Sequence, residues 1–202
     1  NPTAMTIDGT IDISFIVEEG WSAELGNVYA HEGVVYMPVR HADWTNGYIL
    51  HQSMIAIVDP SALEVRTVIE DDRCPAAGAP VFAPDGTGYI MSDGRNYSAM
   101  MFARARGEDD VPVNCFLKFS GADATEFDAN WLHTVPSLTD GREVVTSLEF
   151  ADPNSGVGFA KVMYEELIDG EPVSFDFWGQ SMSKYWRFDL TGDTPVATEV
   201  EG

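Results

Sequence analysis

The side chains best suited to chemistry sit in a few short polar stretches. The first is RHADWTNGYILHQS over 40–53, which gathers His41, Asp43 and His51 on one segment. Two imidazoles and a carboxylate are candidate metal ligands, although their spacing matches no sharp metal motif. Trp44 and Tyr48 stand among them and offer flat faces to a ligand. The second stretch is GADATEFDAN over 121–130, where Asp123, Glu126, Asp128 and Asn130 are oxygen donors of the kind calcium takes. Its glycine and glutamate are misplaced for an EF-hand loop, so a solvated turn competes with the cation site. The cofactor reading is therefore calcium or none. Asp152 and Asn154 in DPNSG read as turn formers. His31 falls in a turn, and His133 in an outer strand.

Catalytic motifs are weak. Gly179 to Ser183 reads GQSMS, one residue from a hydrolase nucleophile elbow, but it ends in serine and lacks the strand-to-helix context. No glycine-rich loop precedes a helix, which argues against nucleotide chemistry. No catalytic residue is assigned. An enzyme would need two or more of His41, Asp43, His51, Asp93 and Glu165 converging in one cleft. Asn96-Tyr97-Ser98 is a glycosylation triplet, meaningful only in a eukaryotic secretory context.

Aromatic residues are unusually dense in the polar stretches: Trp44, Tyr48, Tyr97, Phe102, Tyr164, Phe175, Phe177 and Trp178, with Met100 and Met101 beside Phe102. They either pack beneath their loops or stack on a ligand. The ligand-binding candidates are His41, Asp43, Trp44, His51, Tyr97 and Trp178.

Net charge is −22, from 33 acidic against 11 basic residues, which excludes a phosphate-tracking nucleic-acid surface and an anionic-membrane surface. Hydrophobic residues make up 45%, enough for a buried core. No stretch reaches the roughly 18–20 apolar residues of a membrane helix. The first residues, NPTAMTIDGT, have neither the basic nor the apolar region of a signal peptide. Asn1 implies a processed product or a piece of something longer.

What positions these stretches is a pattern that recurs three times. First-strand anchors read NVYAHEGVVYM (27–37), PVFAPDGTGYIM (80–91) and LEFADPNSGVGFAKVM (148–163); third-strand anchors read SMIAIVDPS (53–61), NCFLKFSGAD (114–123) and KYWRFDLTGD (184–193). Tyr29, Phe82 and Phe150 correspond, as do Ile57, Phe119 and Phe188. Each unit holds a strand, a glycine turn, a second strand, a long polar insertion, a third strand and a short fourth. The units span 27–73, 74–138 and 139–202, with fourth strands at 63–70, 130–135 and 196–201. Residues 10–19, TIDISFIVEE, alternate apolar and polar and are expected to form a strand of an incomplete preceding unit within 1–26. No segment shows helical periodicity. The fold class is all-β, a β-propeller segment of about three four-stranded blades plus an N-terminal remnant strand. The insertions then gather on one face, the expected binding face. Three units fall short of a closed ring, so either a second chain supplies the remaining blades or the chain is a fragment.

Cys74 precedes a first strand and Cys115 opens the third strand of the same unit. Those points share one end of a meander, so a disulfide is expected, stabilising by roughly 3–4 kcal/mol through a loop of about 40 residues. The alternative is two buried thiols in a reducing compartment.

From about residue 66 to 190 the chain resembles bacterial lipoprotein-type propellers associated with myxochelin-type siderophore systems. The likeness rests on DDRCPAAGAPVFAPDGTGYIMSD, NYSA and VPVNCFLKFSGADATEFDANW. It implies an exported propeller, periplasmic, outer-membrane-associated or secreted, with a cysteine pair and an accessory role in handling a metal-carrying small molecule. It supplies no catalytic residue, and the export signal and remaining blades of that family are not visible. The leading function is binding. The alternatives are a propeller hydrolase or lyase and a structural subunit of a split propeller.

Overall fold

The structure is a computed structural model, describing residues 7, 9–108, 113–144, 146, 148–150, 152, 154–164, 167–168, 171–172 and 182–200. It is built mainly of antiparallel sheets. In chain order the strands and helices are β1 (Ser22–Leu25), β2 (Tyr29–His31), β3 (Val34–Asp43), β4 (Tyr48–Ile49), β5 (Ser53–Asp59), β6 (Glu64–Asp71), β7 (Val81–Phe82), β8 (Gly88–Met91), α1 (Gly94–Ala105), β9 (Cys115–Phe119), β10 (Phe127–Thr134), α2 (Val135–Leu138), β11 (Val157–Tyr164), β12 (Leu167–Ile168), β13 (Glu171–Pro172), β14 (Met182–Asp189) and β15 (Val196–Glu199).

Each repeat of the sequence forms one meander. The first sheet runs β1-β3-β5-β6, with β2 also on β3. β1 and β2 lie along the same edge of β3, paired from Ser22↔Ala42 to Leu25↔Val39 and then from Tyr29↔Tyr36 to His31↔Val34. The break between them falls opposite Pro38, which has no N–H to give that edge, while its carbonyl accepts from Gly26 N at 2.8 Å. The second sheet runs β10-β9-β8-β7. The third runs β11-β14-β15, and the bridges Val144↔Val162 and Glu149↔Phe159 put Val144 and Glu149 along the free edge of β11, where its first strand belongs. Gly33, Gly86 and Gly156 close the first turns with φ of 79°, 86° and 66°, the left-handed region for which glycine was expected there.

Packing is face to face in three layers. Phe82, Ile90, Leu117 and Phe119 of the second sheet meet Tyr36, Ile55 and Ile57 of the first. Its other face, with Val81, Tyr89, Met91, Phe116 and Trp131, meets Ala160, Val162, Trp186 and Phe188 of the third. Two-sided burial is why β8 and β9 read as nearly unbroken apolar runs rather than alternation. Full burial of each such Phe, Ile or Leu contributes roughly 1.5–3 kcal/mol.

The layers are not stacked flat. Face-packed sheets sit about 10 Å apart, so equivalent rings on the first and third would lie about 20 Å apart in a flat stack. Tyr29 instead reaches both Phe82, at 5.9 Å between ring centroids, and Phe150, at 5.3 Å. The three repeat-equivalent residues therefore meet, and the first strands converge along one inner edge.

Two expectations are corrected. Residues 10–19 do not form a strand. Asp12 Oδ1 accepts from Ser14 N at 2.9 Å, an Asx turn that bends the backbone into a 3₁₀ turn at Ser14–Ile16. The segment lies on the outer face of the first sheet, where Ile13 and Ile16 pack on Val39, Met54 and Val68. Residues 22–25, which follow it, belong to the first sheet, so a boundary at 26/27 divides one strand edge. The all-β expectation also missed α1 in the second insertion. Ala, Met and Arg supply its propensity, Ala99, Met100 and Ala103 its buried side, and Gly107 a Schellman end in which Glu108 N reaches Ala103 O and Gly107 N reaches Arg104 O.

Candidate functional site

β3 delivers its last residues, and β8 the start of α1, to the same end of the molecule, so the first two insertions meet there. Arg106, just past α1, stacks over the Tyr48 ring at 4.2 Å and donates to Asn46 O at 3.0 Å. Tyr48 Oη bonds Glu108 Oε1 at 3.2 Å, and Gly47 sits directly against the Phe102 ring. Trp44 Nε1 donates to Glu24 Oε1 at 2.7 Å. These contacts leave Trp44, Tyr48 and Phe102 exposed by 37, 42 and 46%, a group of aromatic faces held in place on an otherwise acidic surface. The Arg106 guanidinium holds the Glu108 carboxyl below its usual range, so the pair stays ionised further into the acid range.

Beneath the aromatic group lies an ion-paired base. Arg40, buried on β3, pairs with Glu24 at 2.8 Å and with buried Asp93, tying the first sheet to the start of α1. Deeper still, Asn96 Nδ2 donates to Asn114 Oδ1 at 2.8 Å and Asn114 Nδ2 to Val144 O at 3.1 Å. Glu143 is buried beside them, and burial pushes its carboxyl above the ordinary value despite Arg104 and the Asn114 backbone. The Tyr97 hydroxyl is pushed up for the same reason.

The residues singled out from sequence go to different places. His41 is buried, its Nε2 2.8 Å from Ile16 O. Asp43 closes a turn by accepting from Asn46 Nδ2 at 2.7 Å, the bond that holds its carboxyl low. His51 is exposed, with Nδ1 2.6 Å from Asp72 O. Asp93 faces Arg40. The imidazoles and carboxylates proposed as metal ligands are thus engaged separately, and among the described residues no group of three or more His, Cys, Asp or Glu is placed to hold a metal. Tyr97 is only 5% exposed and does not join the outer aromatic group. Trp178, Phe175, Phe177 and Glu165 lie outside the described residues.

Cys74 and Cys115 form the expected disulfide, with Cα atoms 5.8 Å apart. Ser92 Oγ accepts from Cys115 N at 3.2 Å beside it. Arg73, the preceding residue, donates to Ala129 O at 2.6 Å and Asp128 O at 3.0 Å, fastening the strand entry to β10.

At the opposite end a cleft of about 550 Å³ opens between turns of the second and third sheets, lined by Asp85, Tyr89, Lys118, Glu126, Asp128 and Asp193. It brings Glu126 and Asp128 of the oxygen-rich stretch together with Asp85 and Asp193, a grouping that no sequence spacing signals. Two of its carboxylates are already served: Asp128 by Asn130 N at 2.9 Å and Lys118 at 3.0 Å, Asp85 by Thr87 N at 3.0 Å.

No family model matches the chain, and no curated protein does. Among solved structures it is similar to the acylaminoacyl peptidase of Pyrococcus horikoshii in its orthorhombic crystal form, at 12% identity and a TM-score of 0.49 over 88% of this chain. The chain spans about a quarter, 26%, of that peptidase's length.

Proposed function

We propose that this chain is part of an exported β-propeller that binds a ligand at its insertion-bearing end and is not itself a catalyst. The observation that carries the reading is the exposure of Trp44, Tyr48 and Phe102, each with its own contact: Trp44 with Glu24, Tyr48 with Arg106 and Glu108, and Phe102 with Gly47. Exposed aromatic rings held by their own contacts lose little freedom on binding, which favours stacking of a flat ligand. The propeller reading is supported by the contact of Tyr29 with both Phe82 and Phe150, since blades fanned around an axis bring their innermost strands together. The disulfide supports an oxidising compartment. The separate partners of His41, Asp43, His51 and Asp93 support binding over hydrolysis.

The ligand class is a flat aromatic group, and the family resemblance makes a catechol-bearing metal carrier the first probe. Saturable quenching of tryptophan fluorescence by a bis-catechol, alone and as its ferric complex, measures binding. The expected result is saturation in the wild type and loss in a Trp44→Ala, Phe102→Ala double variant. Equal quenching of both proteins would sink the reading. Because the protein carries a net charge of −22, the anionic ferric complex binds more tightly as salt rises, while the uncharged bis-catechol is indifferent.

A further inference from the structure

At the end opposite the aromatic group, turns of the second and third sheets enclose the cleft of about 550 Å³, a volume in the range of small-molecule sites. The β7–β8 turn carries Asp85, the β9–β10 connection carries Glu126 and Asp128, and the β14–β15 turn carries Asp193. Local contacts hold these turns. Gly121, with φ of 76°, lies so close to the first turn that a Cβ there would stand 2.5 Å from the Gly86 carbonyl oxygen. The turn and the connection are therefore in direct backbone contact. Asp189 accepts from the Thr191 hydroxyl at 2.8 Å, which orders the third turn.

The floor of the cleft carries an unanswered polar group. Tyr89 lines the cleft although it is only 4% exposed, and its hydroxyl makes no hydrogen bond among the described residues. Its ring is packed in the core shared with the third sheet, 5.4 Å from the Trp131 ring between centroids, so what it presents to the cleft is its hydroxyl end. Burial, and then the charges of Asp85 and Asp189, push that hydroxyl's pKa up, which places it in the field of the cleft's carboxylates. Buried Phe119 and Phe127 form an apolar wall beside it. Around the cleft four carboxylates stand against one ammonium, that of Lys118, which Asp128 already takes at 3.0 Å. Glu126 and Asp193 are exposed and make no hydrogen bond or ion pair with the described residues.

We infer that this cleft binds a small aliphatic diamine or polyamine. The carboxylates stand on separate turns, and among the described residues no three of His, Cys, Asp or Glu are placed to share one metal ion. Carboxylates spread around a cleft suit a cation whose charges are themselves spread along a chain. One ammonium donates to the Tyr89 hydroxyl oxygen, and others pair with Glu126 and Asp193. The methylenes between them lie on the Phe127 wall. An ammonium that donates to both a carboxylate and a hydroxyl makes charge-assisted bonds, stronger than neutral ones. The net charge of −22 raises the local concentration of any cation at this surface. The site lies at the other end from the aromatic group, and neither reading rests on the other.

Titration calorimetry on the whole chain at low salt is the test, with diaminobutane as the probe, butylamine as its singly charged control and calcium chloride as the metal control. The wild type is expected to bind one diaminobutane saturably, more tightly than butylamine, with affinity falling as salt rises. A Glu126→Gln, Asp193→Asn variant removes two exposed charges without touching the core, and its affinity should fall roughly tenfold. Tyr89→Phe removes only the hydroxyl and should cost about fivefold, the worth of one hydrogen bond. A charge-matched Glu18→Gln, Glu19→Gln variant, altered away from the cleft, should bind as the wild type does. Circular dichroism checks that each variant folds, and the exposed carboxylate pair decides the matter should Tyr89→Phe fail to. Absence of saturable binding would overturn the proposal. So would equal losses in the cleft and charge-matched variants, which would mean a diffuse counter-ion layer. Calcium binding that displaces diaminobutane would also overturn it, in favour of a metal site.

Discussion

Tyr29 and Phe150, flanking the first strands of the first and third sheets, meet edge to face with ring centroids 5.3 Å apart and planes at 78°. Phe82 of the middle sheet completes the contact, 5.9 Å from Tyr29, and His31 stacks on Phe82 at 3.9 Å. Residues at one position of the repeated unit thus come into contact, which a flat stack of three sheets would not allow. That contact is the geometric core of the fold.

It should be measurable as a coupling. A double-mutant cycle with Tyr29→Leu and Phe150→Leu is expected to give an interaction energy of roughly 0.5–1.5 kcal/mol by urea unfolding, the range for aromatic pairs beyond their area burial. Strict additivity would mean that the inner edges do not converge.

Arg40 holds two carboxylates from different elements. Arg40→Met strands buried Asp93 opposite an apolar side chain, and stability should fall by about 3–5 kcal/mol, as for other broken buried ion pairs. Adding Asp93→Leu to that variant should recover part of the loss. Denaturant midpoints with unchanged slopes are the measurement. A cost below about 1 kcal/mol, the level of a surface pair, would show that the pair is solvated.

The Cys74–Cys115 bridge closes a loop with a sequence separation of 41. In the chain-entropy model its removal costs about 4 kcal/mol. The Cys74→Ser, Cys115→Ser double variant should show that loss, and the wild type under strong reductant should approach it. Loss of stability without loss of the aromatic group's fluorescence response would separate the bridge's structural role from binding.

Glu143 predicts a pH dependence of defined sign. Its carboxyl is raised in the folded protein, chiefly by burial, so folding favours the protonated form. Stability from this group is complete below the unfolded carboxyl range and is lost as pH rises through the raised folded value. Glu143→Gln should therefore stabilise the protein at neutral pH, with the advantage shrinking toward pH 4. Asp128 and Asp189 act oppositely: hydrogen bonds led by Asn130 N–H and by the Thr191 hydroxyl hold them low, so their contribution is lost as pH falls through the acid range. Thermal midpoints of wild type and variant across pH separate the two trends. A constant difference at every pH would rule out titration of Glu143.

Composition and repeat were enough to determine much of this molecule. The alternation of strand residues with glycine turns marks out the three meanders, because a left-handed turn and a period-two strand are local demands that single residues meet or fail. The pairing of Cys74 with Cys115 followed from the same local logic, since both lie at one end of one sheet. Local logic also misled. TIDISFIVEE has a strand's alternation, yet one side chain, Asp12, bonds its own backbone and wins over a ladder that had no partner. RNYSAMMFARA shows no clear amphipathic stripe because the buried side of α1 mixes polar Asn96 and small Ala99 and Ala103 with Tyr97 and Met100, so its helix rests on its capped end and on the insertion it packs against. Tertiary structure alone decided which chemistry-bearing residues meet. His41 and His51 are near in sequence but on a β-strand and a loop with separate partners, whereas Trp44 and Phe102, far apart in the chain, share one surface because two insertions leave adjacent sheets at the same end. Such meetings depend on how sheets pack and turn relative to one another, a relation carried by many weak contacts at once and by no single stretch of residues.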